Sequence, residues 1–152
     1  MTIPQFGTPQ PGRDYPDRPA AFAIVEKAGQ IALVRVSFEG GGGRTDLPGG
    51  GIDRGETAPQ AAARECGEEA GLVVEIGEAV TRADHFFVNE KDVARNTRGV
   101  FYAGRLLRDD PSLKVEHDHA LVWTDPHEAL LSLERESHVW AVACWLRMKA
   151  RR

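Results

Sequence analysis

The sequence is poor in cysteine and has no long hydrophobic run. Its 152 residues include two cysteines, Cys66 and Cys144, which is too few for the disulfide framework of a small secreted domain. No apolar stretch approaches the roughly 20 residues that a membrane-spanning helix needs. The N-terminal segment lacks the basic and apolar regions of a secretory signal. We therefore expect a cytoplasmic protein that does not enter a membrane.

The chain also lacks an excess of positive charge. Lys and Arg number 19 against 23 Asp and Glu, which gives a net charge of -4. This balance argues against a protein held on nucleic acid by its backbone charge. A small anionic substrate remains compatible with it if a divalent cation mediates binding.

Proline is concentrated near the N-terminus. Five of the nine prolines lie between Pro4 and Pro19, and proline disfavours regular helices and central strands. We expect residues 1–19 to form an extended arm and residues 20–152 to form a single domain. The arm suits a partly ordered tail, a cover for the substrate or a contact with a second copy in a homodimer.

Short apolar runs predict a β-sheet with few helices. The expected strands cover residues 20–27, 30–38, 72–76, 79–88, 99–107 and 120–124. A glycine-rich turn is expected over residues 47–51, and Gly40 to Gly43 form a connector or a mobile flap. Two helices are expected near the C-terminus, one capped by Asp125 and one over residues 136–149.

The most clearly marked element is a helix over residues 57–70. Thr57 and Gln60 form a capping-box pattern at its start, and Gly71 suits its C-terminal cap. One early helix among many strands, followed by two late helices, predicts an α/β fold with a mixed sheet covered on both faces.

Three carboxylates share one face of this helix. Glu65, Glu68 and Glu69 stand at positions i, i+3 and i+4. Clustered carboxylate oxygens are ligands that Mg²⁺ or Mn²⁺ prefers, although a solvated acidic face would have the same spacing. Arg64 lies four residues before Glu68 and is close enough to orient its carboxylate.

The segment from Gly50 to Leu72 resembles the Nudix box, whose pattern is G-x5-E-x7-R-E-U-x-E-E-x-G-U, with U a bulky apolar residue. Its defined places are filled by Gly50, Glu56, Arg64, Glu65, Cys66, Glu68, Glu69, Gly71 and Leu72. The resemblance implies a Nudix-type α/β/α sandwich. It also implies a pyrophosphohydrolase that uses Mg²⁺ or Mn²⁺ to cleave a nucleoside diphosphate linked to another group.

The resemblance also implies roles for individual residues. Arg64 would orient the carboxylates, and Glu56 would support the attacking water or the neighbouring loop. The implied metal ligands are the carboxylates of Glu65, Glu68 and Glu69 and the carbonyl of Gly49. A non-catalytic nucleotide sensor on the same fold is the alternative, but such a protein is expected to have lost a carboxylate or the arginine of the box.

Residues outside the box are weaker candidates. Glu116 is the first candidate for a general base and Asp118 the second, with solvated side chains as the alternative. His117 and His119 have the spacing of a zinc pair but lack further clustered ligands. Four arginines between residues 95 and 108 suit phosphate contacts, and Arg98, near the start of a predicted strand, is the chosen candidate.

Overall fold

The structure, a computed structural model, describes residues 2–152 and consists of one sheet with helices on both faces. The strands are β1 (Gln5–Phe6), β2 (Asp17–Lys27), β3 (Gln30–Ser37), β4 (Gly43–Asp46), β5 (Gly49–Gly51), β6 (Leu72–Val88), β7 (Ala94–Asp109) and β8 (His119–Thr124). The helices are α1 (Ala58–Ala70), α2 (Pro126–Ser132) and α3 (Glu136–Ala150), with a short 3₁₀ helix at Pro111–Leu113. No helix within residues 2–152 combines the length and apolar character needed to cross a bilayer.

The sheet is mixed, as predicted. Its strands follow the order β1-β6-β7-β2-β3-β4, with β5 paired to β2 and β8 paired to β3. Strands β2 and β7 run parallel, whereas β6 and β7 form a long antiparallel pair. The central strand β2 changes partner along its length, because Ala20–Phe22 pair with β5 and Glu26–Lys27 pair with β3.

Residues 20–25 of strand β2 are buried on both faces of the sheet, and each face belongs to a different core. Phe22 and Ile24 pack in a cluster with α2 and α3. Ala21, Ala23 and Val25 pack in a second cluster with α1. Because alternate residues of a strand point to opposite faces, this arrangement requires apolar residues throughout. The predicted α/β/α sandwich is therefore confirmed.

Helix α1 has the predicted ends. Thr57 and Gln60 form the capping box, in which each side chain accepts a hydrogen bond from the backbone N–H of the other. Gly71 ends the helix with φ of 66°, a left-handed conformation that glycine adopts without steric cost. Ala62 and Cys66 are buried against the sheet, so the acidic side chains lie along the border of this buried face.

The prediction of a glycine-rich turn over residues 47–51 was wrong for its second half, because Gly49–Gly51 form β5. A side chain at Gly49 would place its Cβ 2.4 Å from the carbonyl oxygen of Ala21. The close approach of two backbones explains why the strand is built of glycine. It also explains why hydrophobic alternation gave no signal for it.

The N-terminal arm lies against its own chain. Strand β1 pairs in parallel with Asp84 and His85 of β6, and Phe6 packs against His85 and Trp140. Strand β2 begins at Asp17, three residues before the predicted start of the domain at Ala20. The homodimer stays a prediction.

Candidate active site

A cavity of about 260 Å³ lies beside β5 and is lined by Gly49 and Gly50 of that strand. One wall carries carboxylates from α1 and the loop before β8, namely Glu65, Glu69 and Glu116. The facing wall carries arginines from β2, β4, β7 and the residues before α3, namely Arg18, Arg44, Arg95 and Arg135, and it also contains Asp46 and Glu90. The cavity therefore suits a ligand that is anionic and is bound partly through a cation.

Glu69 is the most buried carboxylate of α1, with 7% of its surface exposed. Its Oε1 accepts a hydrogen bond of 2.8 Å from the backbone N–H of Gly49. Its Oε2 lies 3.0 Å from Nε2 of His119. Burial raises the pKa of Glu69 in spite of these two contacts. The contacts fix the carboxylate on the cavity side of the helix.

Glu65 lies beside Glu69 on the same face of α1. Burial and the nearby charge of Glu69 raise the pKa of Glu65 to about 7. A Cβ on Gly50 would lie 3.0 Å from Oε1 of Glu65, so the absence of a side chain at Gly50 leaves room for this carboxylate. Two neighbouring carboxylates that repel each other in a partly buried site form a donor set that a divalent cation would stabilise.

Arg64 connects the acidic residues to the loop before the helix. It binds Glu56 through two hydrogen bonds, Nε to Oε2 at 2.7 Å and Nη2 to Oε1 at 3.0 Å. Nη1 donates to Glu65 at 3.1 Å and to Glu68 at 3.0 Å, and Nη2 also donates to the carbonyl of Gly51 at 3.1 Å. Arg64 therefore holds the carboxylates and β5 in one arrangement.

Glu56 is occupied by this network. Its Oε1 also accepts a hydrogen bond of 2.9 Å from the backbone N–H of Asp53. The hydrogen bonds from Arg64 and from Asp53 lower the pKa of Glu56. Of the two roles that the sequence suggests, the contacts of Glu56 match support of the loop.

The loop before β8 and the first residue of β8 bring three more potential ligands to the C-terminal end of α1. The backbone N–H groups of Val115 and Glu116 donate to the carbonyl of Glu68 at 3.0 and 3.1 Å. Glu116, Asp118 and His119 offer ligand atoms within 4.8 Å of one another. Glu116 lines the cavity, whereas Asp118 is exposed and accepts from Nδ1 of His119 at 2.8 Å.

His119 is a site residue whose role sequence reasoning missed. The spacing of the two histidines suggests zinc, but the structure places His119 between Asp118 and Glu69. The hydrogen bond to Glu69 raises the pKa of His119 to about 9. His117 is exposed and does not line the cavity. A contact between residues 50 positions apart leaves no local signal in the sequence.

Arg98 lies outside the cavity. Its guanidinium binds Asp17 at 3.0 Å and Asp84 at 2.8 Å, and its side chain is 45% exposed. The arginines that do line the cavity include Arg44, which binds Asp46 at 2.8 Å and Glu90 at 3.0 Å. These residues meet through tertiary structure, so their clustering is not visible in the sequence.

Similarity to known proteins gives an independent indication of the family. Residues 16–146 match the NUDIX domain. No curated protein gives a significant sequence match.

Solved structures provide a second comparison. The fold is shared with a NUDIX hydrolase from Nitrosomonas europaea at 17% identity and a TM-score of 0.75, covering 88% of this chain and 90% of that chain. It is also shared with a C. elegans Ap4A hydrolase at 22% identity and a TM-score of 0.67, covering 89% and 99%. An ADP-ribose pyrophosphatase from Streptococcus suis gives 23% identity and a TM-score of 0.62, covering 87% and 91%. Because residues 16–146 match the NUDIX domain, the chain belongs to the Nudix family of pyrophosphohydrolases.

Proposed function

We propose that this protein hydrolyses the pyrophosphate bond of a nucleoside diphosphate linked to another group, with Mg²⁺ or Mn²⁺ as cofactor. The observation that carries the proposal is the placement of Glu65 and Glu69 in a cavity whose facing wall is rich in arginine. A pyrophosphate brings negative charge to both walls. It can bind the arginines directly and the carboxylates through a cation.

The residues present fit a divalent cation. Glu65 and Glu69 offer carboxylate oxygens to the cavity. Glu68 lies next to them and accepts a hydrogen bond from Nη1 of Arg64. We propose these three carboxylates and the carbonyl of Gly49 as the ligands. When bound, the cation polarises a phosphoryl oxygen and offsets the charge that repels an attacking nucleophile.

The surrounding residues keep the ligands in place. The N–H of Gly49 and the ring of His119 hold the two oxygens of Glu69. Arg64 restrains Glu65 and Glu68 through a single nitrogen. Restraint of this kind reduces the reorganisation that binding and reaction require. We propose that Arg64 and His119 act as positioning residues.

Glu116 is the candidate for the general base. Its side chain lines the cavity and has no ion pair within residues 2–152, unlike Glu65 with Arg64 and Glu69 with His119. A carboxylate that is not already paired is free to accept a proton from water. Asp118 is exposed and bound to His119, so it is the weaker candidate.

The test is hydrolysis of a substrate panel in the presence of Mg²⁺. Nucleoside triphosphates, nucleotide sugars, ADP-ribose and dinucleoside polyphosphates are incubated with wild type, Glu69→Gln and Glu39→Gln. Glu39 is exposed and outside the cavity, so its variant controls for loss of one negative charge. We expect at least one substrate to be cleaved by wild type and by Glu39→Gln, and the rate to fall by about 10²-fold or more in Glu69→Gln.

Metal dependence is tested separately by thermal unfolding. A site that binds Mg²⁺ or Mn²⁺ in the native state raises the melting temperature as the metal concentration increases. We expect this rise to be reduced in Glu65→Gln and Glu69→Gln. Binding of nucleotides and metal without turnover of any substrate would instead favour the nucleotide sensor.

A further inference from the structure

Two arginines of the cavity have no acidic partner. Arg18 on β2 and Arg95 on β7 line the cavity, and neither forms an ion pair with a carboxylate in the described part of the chain. Arg44 and Arg135 in the same wall lie against Asp46, at 2.8 and 3.3 Å. Arg18 is exposed, and Arg95 is partly buried and donates one hydrogen bond of 3.1 Å to the carbonyl of Ala94. Neither charge is compensated by a carboxylate in the described residues, whereas those of Arg44 and Arg135 are largely compensated.

Arg18 and Arg95 are near each other on one face of the sheet. Arg18 pairs with Thr97 in the parallel register of β2 and β7, and Arg95 stands two residues before Thr97, so it projects from the same face. Neighbouring strands lie about 4.8 Å apart and rise about 3.3 Å per residue, so the Cα atoms of such diagonal neighbours are roughly 8 Å apart. This distance is short enough for two long side chains to bind one phosphate group.

Arg18 and the metal-binding carboxylates lie on the two sides of β5. A Cβ on Gly50 would meet Glu65, and a Cβ on Gly51 would lie 2.8 Å from Nε and Nη2 of Arg18. Successive residues of a strand point to opposite faces. A ligand that reaches both groups must therefore extend past the end of this glycine strand.

We infer that Arg18 and Arg95 form an anion subsite for a phosphate beyond the two that the cleaved bond joins. The substrate class is then a nucleotide with three or more linked phosphates, and not a nucleoside diphosphate joined to an uncharged sugar. An uncharged group at this place would supply no charge to either guanidinium group and would displace water from the partly buried Arg95 without replacing it, which is unfavourable. The inference rests on the proposed function, because it takes the carboxylate wall as the place of the cleaved bond.

The experiment compares Arg18→Gln and Arg95→Gln with Arg82→Gln. Arg82 is an exposed strand arginine outside the cavity, so its variant matches the loss of charge. We expect wild type to have a higher kcat/KM for nucleoside triphosphates than for nucleotide sugars. Each of the two cavity variants should lose about tenfold in kcat/KM on triphosphates, as for one charge-assisted contact, and less than about twofold on sugars.

Arg18→Lys tests whether the planar guanidinium group matters. It keeps the charge but not the paired donors, so it should recover part of the loss in Arg18→Gln. Calorimetry with inorganic triphosphate and Mg²⁺ gives a readout that needs no turnover. The Kd for inorganic triphosphate should rise about tenfold in Arg18→Gln and Arg95→Gln and stay unchanged in Arg82→Gln.

The outcomes separate the two proposals. If wild type cleaves nucleotides in a Glu69-dependent way but prefers sugars, or if the cavity variants behave like Arg82→Gln in both assays, the inference is overturned and the hydrolase stands. If no nucleotide is cleaved but triphosphate binding depends on Arg18 and Arg95, the hydrolase proposal fails and the anion subsite stands.

Discussion

Replacement of Gly67 by alanine should stabilise the protein. Gly67 lies in the interior of α1, where glycine costs about 1 kcal/mol relative to alanine. A Cβ at this position would lie 3.4 Å from Cδ1 of Leu113, 3.5 Å from its Cβ and 3.8 Å from the carbonyl oxygen of Leu72. These are ordinary van der Waals contacts, so the added methyl group needs no rearrangement. The expected gain in unfolding free energy is about 1 kcal/mol, which corresponds to a rise in melting temperature of roughly 2–4 °C.

Thermal and urea unfolding of Gly67→Ala measure this gain, with Gly50→Ala as the opposite case. A Cβ on Gly50 would press on Oε1 of Glu65 at 3.0 Å, so this variant should lose activity without gaining stability. The methyl group of Gly67→Ala points at Leu113, and hydrolysis should be retained. A melting temperature of Gly67→Ala at or below that of wild type would show that the contact with Leu113 is tighter than the distances indicate.

Three further predictions concern other parts of the structure. Gly49→Ala should abolish soluble expression or lower the free energy of unfolding by several kcal/mol, because its Cβ would lie 2.4 Å from the carbonyl oxygen of Ala21. Gly40→Ala is the control: its Cβ would have no atom within 4 Å, and the melting temperature should change by less than about 1 °C. Burial lowers the pKa of His85 from 6.5 to about 4. Between pH 6.5 and pH 4 the unfolded state therefore binds a proton at His85 that the folded state does not bind. The unfolding free energy of wild type should therefore fall by up to about 3 kcal/mol relative to His85→Gln over this window, as measured by urea unfolding at each pH, and a constant difference would refute a neutral buried ring. Arg64→Lys keeps the charge but cannot make the two hydrogen bonds to Glu56. We expect the Mg²⁺ affinity or kcat of this variant to fall about 10–100-fold. Wild-type values of both would contradict a positioning role for Arg64.

The elements that could be predicted from the sequence are those with local causes. The capping box at Thr57 and Gln60 and the cap at Gly71 act within one turn of α1, and both ends of the helix agree with the prediction. Asp125 caps α2 by accepting from the N–H groups of His127 and Glu128. Apolar runs likewise predicted the buried strands. The two runs predicted between residues 72 and 88 form one strand, β6, with irregular pairing near Ile76 and Ala79.

The features that could not be predicted depend on distant parts of the chain. Strand β5 consists of three glycines and has no apolar signal. The contact of His119 with Glu69 joins β8 to α1. The arginine wall draws on four separate segments, which explains why the sequence favoured Arg98, near the start of a predicted strand, although Arg95 lines the cavity and Arg98 does not.

The position of β2 also bears on how the protein can move when a ligand binds. This strand carries Arg18 and, through its pairing with β5, fixes the glycines next to Glu65. Arg18 and the glycines beside Glu65 are thus attached to one strand that is packed in two cores. We expect ligand binding to leave the amide hydrogen exchange of β2 unchanged and to slow exchange in the loop that carries Glu116, because that loop is held to α1 by few hydrogen bonds. Adaptation to different substrates would then occur in this loop and in side-chain rotamers, while the backbone spacing between Arg18 and the glycines of β5 stays constant.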